Sequence, residues 1–146
     1  MIVEDAFEID APLERVWPLL ADIPFVAGCI PGAAIEEQVD PVTYRAKVAV
    51  KVGPVSVGYR ATIVVLELDA EEHVARFDVR GDELKGRGGV RAGVTSTASE
   101  RDGKTRVSLH ADAQLSGIIV TVGGRLIESV AKKTIAQFAT NLAAKL

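Results

Sequence analysis

The side chains able to do chemistry are few, and most lack a companion. The single cysteine, Cys29, stands between Gly28 and Ile30-Pro31. A nucleophilic thiolate needs a base and an electropositive surrounding, and these neighbours supply neither. Such a cysteine behaves as a small hydrophobe, and Cys29 is predicted to line the mouth of a pocket. The two histidines, His73 and His110, lie too far apart to give a metal-ligand spacing. Tyr44 and Tyr59 occupy apolar strand positions, where a phenol either donates a hydrogen bond to a carbonyl or extends its tip from the core to solvent. Thr134, on an apolar helix face, has the same two options: a polar contact, or a bond to its own helix backbone. Trp17 reads as core.

Two further patterns look like chemistry and fail on inspection. Gly86-Arg87-Gly88-Gly89 resembles a phosphate loop, but no Lys-Ser/Thr pair and no helix N-terminus follow it. Glycines in strand-like sequence point instead to bulges and sheet curvature. No pair of inward carboxylates and no inward histidine with an orienting partner emerges, so acid–base catalysis has no evident players. No catalytic residue, metal or cofactor is expected.

The elements that position these residues follow from periodicity. With 146 residues and 48% hydrophobic but only 5% aromatic content, the chain makes one domain, 1–146, around an aliphatic, β-rich core. A first strand runs from about Ile2 to Ile9, with Phe7 and Ile9 on one face and Glu4 and Glu8 on the other. Pro12 suits the first position of a short helix whose apolar stripe is Leu13, Val16, Trp17 and Leu20. Pro18, Pro24 and Pro31 keep this helical region short, and the chain turns at Pro31-Gly32.

Strand alternation then dominates. Tyr44, Ala46, Val48, Val50 and Val52 share one face; Gly53-Pro54 turns the chain; Val57, Tyr59, Ala61, Ile63 and Val65 share the next. Ala75, Phe77 and Val79 follow, with a turn placed at Gly81-Asp82. Leu84, Gly86, Gly88, Val90, Ala92 and Val94 then alternate as another strand. Arg101-Asp102-Gly103-Lys104 is a hairpin turn leading to Val107, Leu109, Ala111, Ala113 and Leu115, with His110 outward. After Ser116-Gly117 the period becomes helical: Ile119, Gly123, Ile127, Val130, Ala131, Thr134, Phe138 and Leu142 fall on one face. Gly123-Gly124 would each cost about 1 kcal/mol inside a helix, so they make room for a ligand, allow close packing, or mark a later helix start. The expected architecture is α+β. A curved, antiparallel, seven-stranded sheet wraps a long C-terminal helix, two short helices follow the first strand, and an apolar cavity lies between sheet and helix.

Charge is uneven within a net −3. Residues 1–42 carry nine acids and one base, whereas residues 43–66 and 84–99 contain no acid. The outward cations Arg45, Lys47, Lys51, Arg60, Arg76, Arg80, Lys85, Arg87 and Arg91 make either a solvated face or a docking field for an acidic partner or anionic lipid. The acidic total and the lack of interleaved aromatics exclude nucleic acid. An acidic N-terminus without a signal-peptide pattern, a lone cysteine and no apolar run near ~18 residues lead to an expectation of a cytoplasmic, soluble chain.

Several segments in order resemble one family: Ala11-Pro12 with Val16-Trp17, Cys29-Ile30-Pro31-Gly32, Val52-Gly53-Pro54-Val55, Thr105-Arg106-Val107, Leu115-Ser116-Gly117, and Val122-Gly123-Gly124-Arg125-Leu126-Ile127. The chain resembles the helix-grip fold of the START-like (SRPBCC) superfamily and, within it, the G-subunit family of carbon monoxide dehydrogenase. That resemblance implies a non-catalytic accessory protein of molybdenum-hydroxylase systems. Such a protein would hold an isoprenoid quinone or lipid, assist membrane recruitment or electron delivery, and make peripheral contact with the inner face of the cell membrane. Longer members carry a C-terminal extension that contacts the membrane; this sequence stops at Leu146, after the long helix. The expected ligand-binding residues are Phe25, Cys29, Ile30, Tyr44, Tyr59, Phe77, Gly123, Leu126, Ile127, Val130 and Thr134. Two alternatives remain open. One is a cyclase or dehydratase acting on a small hydrophobic ketone through a polar pair such as Tyr59 and Thr134. The other is an interaction module that binds through Arg87 and Arg91.

Overall fold

The computed structural model describes Met1–Leu146. Strand β1 (Ile2–Ile9) leads into helices α1 (Leu13–Leu20) and α2 (Ile23–Cys29). Six strands follow: β2 (Ala33–Asp40), β3 (Thr43–Val52), β4 (Val55–Asp69), β5 (Val74–Glu83), β6 (Gly89–Arg101) and β7 (Lys104–Leu115). A 3-10 turn (Ile118–Val122) precedes α3 (Gly124–Ala143). All strands belong to one antiparallel sheet, ordered β1-β7-β6-β5-β4-β3-β2. Five of the six neighbouring pairs are joined in sequence; only β1 crosses to β7, and α1 and α2 carry the chain from that edge to β2 at the other.

Local chemistry sets the corners. Asp102 and Gly103 both adopt positive φ (54° and 75°) and pair Arg101 with Lys104, as the Asp-Gly hairpin signal predicts. Asp69 Oδ1 accepts from the Glu71 and Glu72 N–H groups, closing the β4–β5 turn. Asp22 separates the two short helices by accepting from the Phe25 N–H (3.2 Å), a side-chain N-cap with Pro24 in the first turn.

Helix α1 differs from expectation. It starts at Leu13, with Pro12 as its cap residue and no local side chain to satisfy its first amides. Glu100 of β6 does so from 87 residues away: its Oε1 accepts from the Leu13 N–H at 2.7 Å, which also places a negative charge at the helix's positive end. Beside it, the fully buried Thr105 donates to the Ala11 carbonyl at 2.8 Å. Two hydrogen bonds thus fasten the start of α1 to the β6–β7 hairpin.

The packed core gathers at this end. Ile9, Ala11, Val16, Leu20, Cys29, Ala98, Val107, Phe138 and Leu142 form one buried cluster, and the Phe7 and Phe138 rings meet edge to face at 5.8 Å. Asn141 Nδ2 donates to the Cys29 carbonyl (2.9 Å), tying the end of α3 to the end of α2. Two sequence-based expectations fail here. Residues 84–88 form a turn and not the start of a strand, and Gly81 and Asp82, expected to turn, lie inside β5. The helix begins only at Gly124, so the paired glycines start it and do not interrupt it.

Candidate functional site

The register places the inward side chains in rows across the sheet. One row runs Tyr44, Ile63, Val79, Ala92 and Ala113; the next, toward the β3–β4 turn, runs Ala46, Ala61, Gly81, Val90 and Leu115; beyond it come Val48, Tyr59 and Glu83. Accessibility rises along α3 toward its N-terminus, and on the sheet several side chains toward the β3–β4 turn are half-covered although Ala46, Val52, Tyr59 and Ala61 there are buried. On the helix, Leu142 is 0% exposed and Phe138 8%, Thr134, Val130 and Ile127 are half-buried, and Leu126 is 36% exposed. On the sheet, Val107 and Ala98 are buried, whereas Val94, Val90, Val57 and Val50 are only partly covered. Half-covered apolar side chains of both layers thus lie toward this end, among buried ones.

At this open end the start of α3 rests on the β3–β4 turn, where a Cβ at Gly53 would approach Leu126 Cδ2 to 2.9 Å. A concavity of about 490 Å³ lies beside the turn, bordered by Val50, Val57, Glu83 and Ile118 and by the exposed Lys51, Ser56 and Lys85, with no residue of α3. A second, of about 670 Å³, lies on the outer face around Glu4, Thr95, Arg106 and His110. It is polar and faces away from α3.

One polar group in the interior stands out. Tyr59 is 4% exposed, and its hydroxyl is the only enclosed side-chain polar atom in the protein without a hydrogen-bond partner. Burial, and secondarily the Glu83 charge, raise its pKa above the ordinary tyrosine value near 10. Glu83 stands directly opposite it in the β4–β5 register. Its carboxylate accepts from the Gly88 N–H (3.2 Å) and the Ile118 N–H (3.1 Å). The side chain fits because three surrounding residues have none: a Cβ on Gly86, Gly88 or Gly117 would collide with the Glu83 carboxylate. The glycine run of residues 86–89 is thus a cradle for an internal carboxylate, not a device for sheet curvature.

Sequence reasoning missed Glu83 because Gly81-Asp82 looked like a turn. Carried two residues further, the alternation Ala75, Phe77, Val79, Gly81 would have turned the acid inward. The other expected site residues separate into groups. Tyr44, Tyr59, Phe77, Ile127, Val130 and Thr134 face the space between sheet and helix, with Leu126 at its open end. Tyr44 is 8% exposed, and its hydroxyl is not an enclosed group without a partner. Thr134 spends its hydroxyl on the Val130 carbonyl (2.8 Å), so it offers no partner to Tyr59. Gly123, with φ 89°, is exposed, and a side chain there would meet nothing.

Phe25, Cys29 and Ile30 lie at the packed end. Cys29 is fully buried in the core and does not line a mouth; Phe25 and Ile30 pack against that core, and Lys145 Nζ sits 5.8 Å from the Phe25 ring centre. The Pro31-Gly32 turn serves register. Gly32 (φ 81°) leaves no room for a Cβ against the Ala49 carbonyl, and its own carbonyl accepts from the Ala49 N–H (2.8 Å), which admits β2 beside β3. On the outer face, Arg45, Lys47 and Arg60 pair with Glu36 or Glu37 and Arg80 with Asp78, so nearly half of the supposed basic field is neutralised by neighbouring acids.

No group of three His, Cys, Asp or Glu is placed to hold a metal, and no helix is long and apolar enough to cross a membrane. A curved seven-stranded antiparallel sheet, two short helices after its first strand and a long C-terminal helix make up the helix-grip arrangement. The chain is similar to a conserved protein from Geobacillus kaustophilus (22% identity, TM-score 0.88, covering 99% of this chain and 94% of that one). It is similar, too, to the Zhui aromatase/cyclase from Streptomyces sp. R1128 (16%, 0.67, 99% and 92%) and to a START superfamily protein from Mycobacterium smegmatis (16%, 0.67, 99% and 95%). No curated protein matches it in sequence. The model of the carbon monoxide dehydrogenase CoxG family matches residues 6–146, and the chain belongs to that family.

Proposed function

We propose that this protein is a non-catalytic carrier that holds an isoprenoid quinone or comparable lipid between the sheet and α3. In this reading it serves a carbon monoxide dehydrogenase-like molybdenum hydroxylase in the cytoplasm, assisting its recruitment to the inner face of the cell membrane or the delivery of its electrons. The observation that supports the reading best is the apolar interior left half-covered from both sides, Val50, Val57 and Val90 on the sheet against Ile127 and Val130 on the helix. Closing on a ligand would remove that surface from water at roughly 25 cal/mol per Å². Native mass spectrometry of the purified protein with extraction of bound lipid tests it. A quinone or lipid at about one per chain is expected, and protein that takes up neither from vesicles overturns the proposal.

A second reading, an enzyme acting on a small hydrophobic ketone, is favoured by one observation, the enclosed and unpartnered Tyr59 hydroxyl. Turnover of such a ketone that disappears in Tyr59→Phe would establish it. Turnover that survives removes Tyr59 from any mechanism.

A further inference from the structure

Resting on the carrier reading above, we propose that Tyr59 and Glu83 together form a selectivity site for the polar end of the ligand, which must be uncharged and carry a hydrogen-bond acceptor such as a carbonyl oxygen. Tyr59 lacks what a buried phenol ordinarily has. Its hydroxyl brings one donor and two acceptor lone pairs, and the protein supplies no partner for any of them. Enclosed hydroxyls are almost always satisfied, so the exception calls for a group from outside the chain. Tyr44, the other inward tyrosine, presents no enclosed hydroxyl without a partner.

Glu83 fixes the sign of that group. Its carboxylate is held beside the Tyr59 row by two backbone N–H groups and forms no ion pair with lysine or arginine. Lys51 and Lys85 border the same concavity as Glu83 without pairing to it. Burial first, and the Glu83 charge second, hold the pKa of the Tyr59 phenol above its ordinary value, so it stays protonated and a donor. The same charge repels any ligand that ends in a carboxylate or phosphate, and more strongly inside the protein than in water. Hydrophobic contacts from Val50, Val57 and Ile127 would accept many tails; Tyr59 and Glu83 decide which head is tolerated.

Displacement of the neutral dye Nile red from the full chain separates these contributions. Three probes of matched length serve: 2-undecanone, undecane and decanoate. Tyr59→Phe is expected to weaken 2-undecanone about tenfold, the value of one buried hydrogen bond, and to leave undecane unchanged. Glu83→Gln is expected to strengthen decanoate severalfold and to leave undecane unchanged. Equal affinity of wild type and Tyr59→Phe for the ketone, or wild-type binding of decanoate as tight as that of the ketone, overturns the inference. Should Glu83→Gln disturb the glycine cradle, its loss of Nile red and undecane binding will reveal it, and the Tyr59→Phe comparison decides alone. Failure of the wild type to take up Nile red, undecane and ketone alike would instead sink the carrier reading itself.

Discussion

The two ends of α3 meet the same sheet under opposite conditions. At the C-terminal end, Phe138 and Leu142 enter a closed cluster with Ile9, Val16, Cys29 and Val107, and the polar groups there have partners: Thr105 bonds to Ala11, Asn141 to Cys29. At the N-terminal end, Ile127 and Val130 face half-covered valines and a phenol without a partner. One end follows the rule of dense packing and full polar satisfaction; the other relaxes the first part, with Val52 and Ala46 buried but Val50 and Val57 only partly covered, and breaks the second at Tyr59. The contrast teaches that the two halves of a single helix carry different loads: the C-terminal half holds the packed core, and the N-terminal half can be altered at less cost to stability.

That division can be broken by mutation, beginning with the largest effect. Leu142→Ala should cost about 2–5 kcal/mol, because a fully buried side chain leaves a cavity, and urea unfolding should show a lower midpoint at an unchanged slope. Thr105→Val should cost about 1–3 kcal/mol by orphaning the buried Ala11 carbonyl while keeping side-chain volume; the same titration measures it. If both ends obeyed one packing rule, Ile127→Ala would match Leu142→Ala. The expected loss is under about 1.5 kcal/mol, since the side chain starts half-exposed, and a loss equal to that of Leu142→Ala would refute the contrast.

The smallest expected change sharpens it. In the ligand-free protein Tyr59→Phe should leave stability unchanged or raise it by up to about 1 kcal/mol, because it deletes an unsatisfied hydroxyl. Its size should depend on pH. The folded state holds the Tyr59 proton more tightly than the unfolded chain does, so it binds more protons above the ordinary value near 10. That contribution to stability is complete below pH 10 and disappears as pH climbs from there through the raised folded value. Tyr59→Phe lacks it and should lose less stability than the wild type as pH rises above about 10, as followed by thermal melts.

Much of this was legible in the sequence, and what was not has identifiable causes. Period-two alternation marked the inward faces of β3, β4 and β7 and the outward His110, and Asp102-Gly103 carried its own turn geometry. Alternation also misled: residues 84–88 keep an apolar-polar rhythm, yet they fold as a turn because Gly86 and Gly88 must lie against Glu83. That requirement arises from packing across 35 residues, between Glu83 and Ile118, and no local pattern expresses it. Cys29 was misplaced for a related reason. Its neighbours resemble the lip of a pocket, whereas its position is set by α1, β1 and the end of α3 converging on it. Glu100 capping α1 was equally invisible, since a helix start without Ser, Thr, Asp or Asn gives no hint that a distant strand provides the acceptor.

The manner in which α3 begins has a consequence for time as well as for shape. Its first turn contains no acidic residue and no side-chain cap, opens on two consecutive glycines, and places Arg125 at the positive end of the helix dipole. Its last turns are clamped by Leu142 and Asn141. The first turn of α3 should therefore open locally at a smaller free-energy cost than its last turns. In the carrier reading proposed above, that local opening would set how long a guest resides, and changes at Gly123 and Gly124 would tune it.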